Sequence, residues 1–128
     1  MDQNKKILVV DDEADVLDYL VTLFQDNGYK TVTADNGLKC IEVAKAEKPD
    51  LITLDFIMPE QSGVRAYRQL KKDYPELKDI PVIIITAMGD SMEDYLHKLK
   101  GFPDPEGFMN KPIEQDELIK MAADILSK

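Results

Sequence analysis

The stretch ILVVDDE, residues 7–13, places four apolar residues directly before three carboxylates. The apolar part has the length and the β-branched content of a buried strand, and neither Gly nor Pro interrupts it. Because adjacent carboxylates repel each other, a cation is expected beside Asp11, Asp12 and Glu13. The stretch therefore predicts a strand whose carboxyl end carries a charged site.

The composition describes one globular domain. The 128 residues are 44% hydrophobic and 32% charged, which is enough for a hydrophobic core. No apolar run approaches the about 20 residues of a membrane-spanning helix, and the polar start MDQNKK is not a secretory signal. The single cysteine, Cys40, predicts a cytoplasmic protein in which it is a small apolar filler. The net charge of −9 argues against direct binding to nucleic acid.

Five short apolar runs alternate with segments of helical spacing. The predicted strands are residues 6–10, 30–34, 51–54, 81–85 and 107–110. The apolar positions of the predicted helices are Leu17, Leu20, Val21 and Phe24; Leu38, Ile41 and Ala44; Val64, Tyr67, Leu70 and Tyr74; Met92, Tyr95, Leu96 and Leu99; and Leu118, Met121, Ala122 and Ile125. Gly28 and Pro75 are expected to end the first and third helices, and Ser62 to cap the third.

This alternation predicts an α/β fold, with one parallel sheet and helices on both of its faces. Strands 1, 3 and 4 are nearly all apolar, which is typical of strands buried on both faces. Strand 2 alternates threonine with apolar residues, which suits an edge. We therefore predict a doubly wound five-stranded sheet in the order 2-1-3-4-5, formed by a single domain over residues 1–128, with a ligand site where strands 1 and 3 end.

Polar side chains stand where the predicted strands end. Asp11 and Asp12 follow strand 1, Asp55 follows strand 3, Thr86 follows strand 4, and Lys111 follows strand 5. Carboxylate oxygens around a shallow pocket suit Mg²⁺. A carboxylate, a divalent cation, a hydroxyl and an ammonium group are what phosphoryl transfer to an aspartate requires.

With these motifs the chain resembles the CheY-like receiver domain of two-component response regulators over nearly its whole length. The motifs are DD at 11–12, LDFIMP at 54–59 with Gly63 beyond it, TA at 86–87 and KP at 111–112. The resemblance implies a flavodoxin-like (βα)5 fold and a phosphorelay in which a histidine kinase or histidine phosphotransfer protein is the phosphodonor. It implies a signalling phosphoacceptor rather than an enzyme, with an unknown downstream protein target, no membrane contact, and slow dephosphorylation of its own.

The resemblance also implies the acceptor and the metal ligands. Asp55 would accept the phosphoryl group. Mg²⁺, with Mn²⁺ as an alternative ion, would be held by Asp12 directly, by Asp11 through water, by Asp55, and by the backbone carbonyl of Ile57.

The same resemblance implies how the signal is read. Thr86 and Lys111 would bind phosphoryl oxygens, and Ala87 would leave the entrance open. Phe108 takes the position of the switch aromatic, which would turn inward once Thr86 moves toward the phosphoryl group. That movement would remodel the surface formed by the fourth helix, the fifth strand and the fifth helix. The resemblance allows a cis Lys111–Pro112 bond.

Simpler interpretations compete with these roles. Asp11 or Asp12 could cap the first helix, Asp55 could be a turn residue, and Phe108 could belong to the core. A phosphatase of the haloacid dehalogenase type would need a second Asp where Ile57 stands. A nucleotide-binding domain would need GxGxxG or GxxxxGK[ST], and neither motif occurs.

The chain departs from the family pattern before strand 5. The segment after Thr86 is longer than expected and contains the loop 101–107 with two prolines, so we expect a monomer or only a weak phosphorylation-dependent dimer.

Three further residues bear on the function. The only histidine, His97, is expected to contact solvent or a partner. Ile57 and Met88 are apolar and cannot orient an attacking water. The starting Met favours a complete single-domain regulator over a piece of a longer protein.

Overall fold

Five parallel strands form one sheet. The computed structural model describes residues 5–56, 58–59, 62–87 and 104–127. The strands are β1 (Lys6–Val10), β2 (Lys30–Ala34), β3 (Leu51–Leu54), β4 (Val82–Thr86) and β5 (Gly107–Asn110). Their order is β2-β1-β3-β4-β5, which confirms the predicted topology. Four strands have the predicted bounds, whereas β4 begins one residue later than predicted, since Pro81 has no N–H to donate to a ladder.

The described helices follow the predicted pattern closely at both ends of the chain. They are α1 (Ala14–Asp26), α2 (Gly37–Glu47), α3 (Ser62–Arg68) and a C-terminal helix (Gln115–Leu126). Gly28 follows α1 with a φ of 90°, a left-handed conformation that glycine adopts without strain. Ser62 was expected to cap α3 but is its first helical residue. The predicted fourth helix, with His97, lies outside the described residues.

The third helix is shorter than predicted. Regular α-helical hydrogen bonding gives way at Gln69–Asp73 to a wider, π-type turn. Tyr74, expected on the helix, is extended, and the Nζ of Lys45 lies 3.7 Å from the centroid of its ring. The helical periodicity therefore continues in the sequence beyond the point where the α-helix ends.

The core consists of two apolar layers, one on each face of the sheet. One layer joins the sheet to α2 and α3 and includes Ile52 and Leu54. The other joins it to α1 and the C-terminal helix and includes Val9 and Ile85. This arrangement confirms helices on both faces. No helix in the described part of the chain has the length and apolar character to span a bilayer.

Helix α2 buries two of its three predicted apolar positions, and Leu38 is the exception. Cys40, Ile41 and Ala44 are buried, whereas Leu38 is 71% exposed. Burial raises the pKa of the Cys40 thiol to about 12, so the thiol stays protonated at neutral pH. Its environment agrees with the interpretation of Cys40 as an apolar filler.

Candidate functional site

The strand ends deliver three charged side chains to one face of the sheet. The three residues are Asp11, Asp55 and Lys111, which follow β1, β3 and β5. Each comes an even number of residues after a strand residue that packs toward α1 and the C-terminal helix, and in a strand such residues face the same side. The amide of Asp11 donates to Ala34 O at 3.2 Å, and the amide of Asp55 donates to Val10 O at 3.1 Å. Main-chain bonds that continue the ladder thus fix the backbone of both aspartates.

Four carboxylates converge at this edge of the sheet. Asp11, Asp12, Glu13 and Asp55 each offer an oxygen, and these oxygens lie within 4.8 Å of one another. Asp11 and Asp55 are 1% and 2% exposed, whereas Asp12 and Glu13 face solvent. The convergence predicted for the three aspartates is present. Glu13 was not predicted as a site residue, although the acidic run that it completes was the available signal.

Lys111 is the cation that the acidic run required. Its Nζ lies 3.0 Å from Asp11 Oδ2, 3.4 Å from Asp55 Oδ2 and 3.5 Å from Glu13 Oε1. Burial, the largest single influence, lowers the pKa of Lys111, but the hydrogen bonds to Asp11 and Asp55 and the charges of these two carboxylates together raise the pKa above its ordinary value. The ammonium group is therefore charged at neutral pH. The Lys111–Pro112 peptide bond is cis.

Thr86 and Phe108 share the opposite face of the sheet. Thr86 is the last residue of β4 rather than the first one beyond it, and it is fully buried. Among the described residues, its hydroxyl has no hydrogen-bond partner. The register pairs Thr86 with Asn110 and Ile84 with Phe108. Phe108 lies two residues before Asn110 on β5, so its side chain is on the same face of the sheet as that of Thr86. The half-buried Phe108 ring packs against the α2–α3 layer.

Gly63 brings the start of α3 against the backbone of the Asp55 loop. A Cβ atom at this position would overlap the carbonyl oxygen of Asp55 and lie 2.8 Å from Phe56 Cα. The Phe56 ring meets Tyr67 edge-on, with centroids 5.6 Å apart. Only glycine fits this approach, which explains its place in the motif. Ile57 lies outside the described residues, and Ala87 is exposed.

The family model "Response regulator receiver domain" matches residues 7–123. The chain belongs to this family. Receiver domains take a phosphoryl group from histidine kinases or phosphotransfer proteins, and they generally bind Mg²⁺ at an acidic pocket.

Relatives of similar length support the assignment. The receiver domain is 33% identical to the protein PilH of Pseudomonas aeruginosa, over 95% of this chain and 98% of PilH. It is 32% identical to the polar-differentiation response regulator DivK of Brucella anthropi, over 91% of each chain. The solved receiver domain of the Francisella response regulator 1452 is 31% identical and superposes with a TM-score of 0.81, over 97% of this chain and 98% of that one. Further matching relatives include transcriptional regulators, of which the chain spans 34% to 52% of the length.

The donor set of this receiver fits a hard divalent cation. Four carboxylates within 4.8 Å provide the oxygen ligands that Mg²⁺ prefers, and the exposure of Asp12 and Glu13 leaves room for the waters that this ion retains. Asp12 also borders a surface groove of about 670 Å³ between α2 and α3. One ammonium group among four acids leaves an excess of negative charge, which favours a cation.

Proposed function

We propose that this receiver domain accepts a phosphoryl group on Asp55 from a histidine kinase or a histidine phosphotransfer protein. The observation that carries the proposal is the position of the Asp55 carboxylate, 3.4 Å from the Nζ of Lys111 and within the group of four carboxylates. A nucleophilic oxygen, a fixed ammonium group and a cation site in one pocket are the groups that phosphoryl transfer requires.

The transfer needs little chemistry from the protein. An oxygen of Asp55 forms a bond to phosphorus, while the bond from phosphorus to the imidazole nitrogen of the donor breaks and the imidazole takes up a proton. Lys111, held by Asp11 at 3.0 Å, is placed to neutralise a phosphoryl oxygen. Asp12, Asp55 and the backbone carbonyl of Ile57, with Asp11 through water, would hold Mg²⁺, which when bound would supply further neutralisation of charge on the phosphoryl oxygens.

The direct test is Mg²⁺-dependent labelling with acetyl phosphate, followed by measurement of intact mass. Wild type is expected to gain the mass of one phosphoryl group, and Asp55→Asn is expected to gain none. Asp26→Asn is the matched control, because Asp26 is an exposed residue at the far end of α1 and should be labelled like wild type. Full labelling of Asp55→Asn would place the acceptor elsewhere.

We further propose that Thr86 and Phe108 read the phosphorylated state. The buried Thr86 hydroxyl lacks a partner among the described residues, so a phosphoryl oxygen would satisfy it, at a net gain of about 1–3 kcal/mol. The Phe108 ring, on the same face, is placed to follow that movement. The segment predicted to form the fourth helix, which would complete the output surface, lies outside the described residues.

Thr86→Ala tests this switch. The variant is expected to be labelled at Asp55 but to show a smaller phosphorylation-dependent NMR shift at Phe108 than wild type, because the hydroxyl that couples the two is missing. Thr33→Ala, at an exposed position of β2, is the control. A Phe108 shift of full size in phosphorylated Thr86→Ala would contradict the coupling.

The phosphorylated state is proposed to be long-lived. Ile57 and Met88, both outside the described residues, are apolar and provide no group to orient an attacking water. Labelled protein freed of acetyl phosphate should retain most of its label for minutes without a phosphatase. Decay within seconds would contradict the proposal.

The proposed setting is a cytoplasmic phosphorelay, in which the phosphorylated surface docks to a downstream protein. We propose that the domain acts as a monomer or a weak phosphorylation-dependent dimer. The net charge of −9 opposes direct contact with nucleic-acid phosphates.

A further inference from the structure

A buried lysine lies at the opposite end of the sheet from the carboxylate site. The side chain of Lys71, in the π-type turn after α3, is 2% exposed. A lysine buried this deeply requires partners for its charge and its three N–H donors. Its Nζ lies 3.4 Å from Lys78 O, 3.1 Å from Ile80 O and 3.4 Å from Glu106 Oε1. Lys71 thus links its own turn to residues 78–80 and to Glu106.

Glu106 connects this lysine to the first residue of β4. Its Oε1 accepts the amide of Val82, the first residue of β4, at 2.8 Å, and its own amide donates to Val82 O at 3.0 Å. The carboxylate thus takes the place of a main-chain carbonyl at the point where the ladder between β4 and β5 begins. Glu106 is the residue directly before β5.

The position of β5 matters for the site because the strand carries two of its groups. Phe108 is two residues beyond Glu106, and Lys111 directly follows the strand. The amide of Lys111 donates to Thr86 O at 2.8 Å, which is the last rung of the same ladder. The first rung, at Val82, therefore helps to set the register that brings Lys111 to the carboxylates and Phe108 to the same face as Thr86.

The charge of Glu106 also influences a residue that packs against the acceptor loop. Tyr67, whose ring packs against Phe56 next to Asp55, lies close enough to Glu106 to be influenced by its charge. Burial raises the pKa of Tyr67, and the charges of Glu106 and Asp104 raise it further. Tyr67 also precedes Lys71 by one helical turn.

We propose that Lys71 and Glu106 are positioning residues that fix the start of β5 against β4 and thereby place Lys111 at the phosphoryl-acceptor site and Phe108 on the face of the sheet that carries Thr86. Their role in phosphoryl transfer rests on the proposed function, whereas their role in placing β5 does not. The pair acts through the carboxylate bond to the Val82 amide, and Lys71 holds that carboxylate in position.

The test compares two double variants that lack the buried charge. In K71M/E106Q the amide oxygen of Gln still accepts the Val82 amide, and Met fills the volume of Lys. In K71M/E106A that acceptor is lost. NMR resonances of Phe108 and of the Lys111 amide and side chain are recorded without phosphodonor, and labelling by acetyl phosphate with Mg²⁺ is timed on the same samples. Lys39→Met, which breaks the exposed pair with Asp35, is the control for loss of a lysine.

K71M/E106Q is expected to keep the wild-type resonances at Phe108 and Lys111, and K71M/E106A to displace them. Labelling of K71M/E106A should be slower by about 10-fold, since small misplacements of reacting groups are costly. Identical resonances in the two double variants would overturn the proposal and assign the pair to stability alone.

Should K71M/E106A not fold, Glu106→Asp takes its place. This variant keeps the charge, but its side chain is too short to hold Val82 and Lys71 together, and unchanged resonances would again overturn the proposal. Absence of label on wild type would refute the proposed function, while the resonances would still decide the positioning role.

Discussion

The two neighbouring aspartates of the first motif have different surroundings. Both oxygens of Asp11 are engaged, because Oδ1 accepts the amide of Glu13 at 2.9 Å and Oδ2 accepts Lys111 at 3.0 Å. Asp12 is exposed at the same edge of the sheet. This difference supports direct metal coordination by Asp12 and an indirect role for Asp11. The N-cap residue of α1 is Glu13, and no side chain caps the helix, so the simpler interpretation of Asp11 or Asp12 as the cap is wrong; Asp11 instead accepts the amide of Glu13 itself.

A second buried threonine has no evident role at the site. Among the described residues, the hydroxyl of Thr53 in β3 has no hydrogen-bond partner, although the residue is 1% exposed. Thr53→Val should therefore raise the free energy of unfolding by about 1 kcal/mol, because an unpaired buried hydroxyl is removed. Urea denaturation measures the change. Thr33→Val, at an exposed position, should stay within about 0.5 kcal/mol, and a clear loss of stability in Thr53→Val would contradict the prediction.

The residues that sequence could not reveal are those whose environment comes from distant segments. Lysine is rarely buried, so nothing local marks Lys71, whose partner Glu106 is 35 residues away. Leu38 was expected in the core from its spacing, but it stands in the first turn of α2, beyond the face that Ile41 and Ala44 bury. The site residues were predictable because each follows an apolar run and the topology gathers strand ends.

At the scale of elements, the end of α2 holds a residue in an unfavourable conformation. Lys48 follows the helix with a φ of 48° and a ψ of 63°, a left-handed conformation that costs a residue with a Cβ about 1–2 kcal/mol. Lys48→Gly should raise the free energy of unfolding by about 0.5–1 kcal/mol, since glycine's greater freedom in the unfolded chain offsets part of the gain.

Urea denaturation of Lys48→Gly measures this gain. Glu42→Gly, at an exposed position within the same helix, is the control and should lose about 1 kcal/mol. A destabilised Lys48→Gly would show that contacts of the Lys48 side chain outweigh the conformational cost.

Strands were more predictable than helix ends. Four apolar runs gave the strand bounds because polar or turn residues border them, and strand 2 was recognised as an edge from its threonines. The predicted length of α3 is too great because the apolar spacing continues through Tyr74. The turn at Gln69–Asp73 changes the hydrogen bonding without altering that spacing. The buried Lys71, which bonds to the carbonyls of residues 78 and 80, is a tertiary feature of this turn.

At the scale of the whole molecule, the charge distribution predicts a link between folding and Mg²⁺. The chain carries a net charge of −9, and four of its carboxylates lie within 4.8 Å of one another. An ion that binds the folded state stabilises it, by about 2.7 kcal/mol at 100 times the dissociation constant. Mg²⁺ should therefore raise the thermal unfolding midpoint at constant ionic strength.

Asp12→Asn should lose most of this response, because it removes a carboxylate that faces solvent at the site. Asp26→Asn, with the same change of net charge, should respond like wild type. Equal responses of the two variants to Mg²⁺ would show general screening of charge rather than a site.

Locating the modified residue tests whether Asp55 alone accepts the phosphoryl group. Protein labelled with acetyl phosphate and Mg²⁺ is reduced with borohydride, which converts an aspartyl phosphate to homoserine, and its peptides are sequenced by tandem mass spectrometry. Homoserine at position 55, and at no other aspartate, is the predicted result. Homoserine at position 11 or 12, with aspartate retained at position 55, would contradict the account.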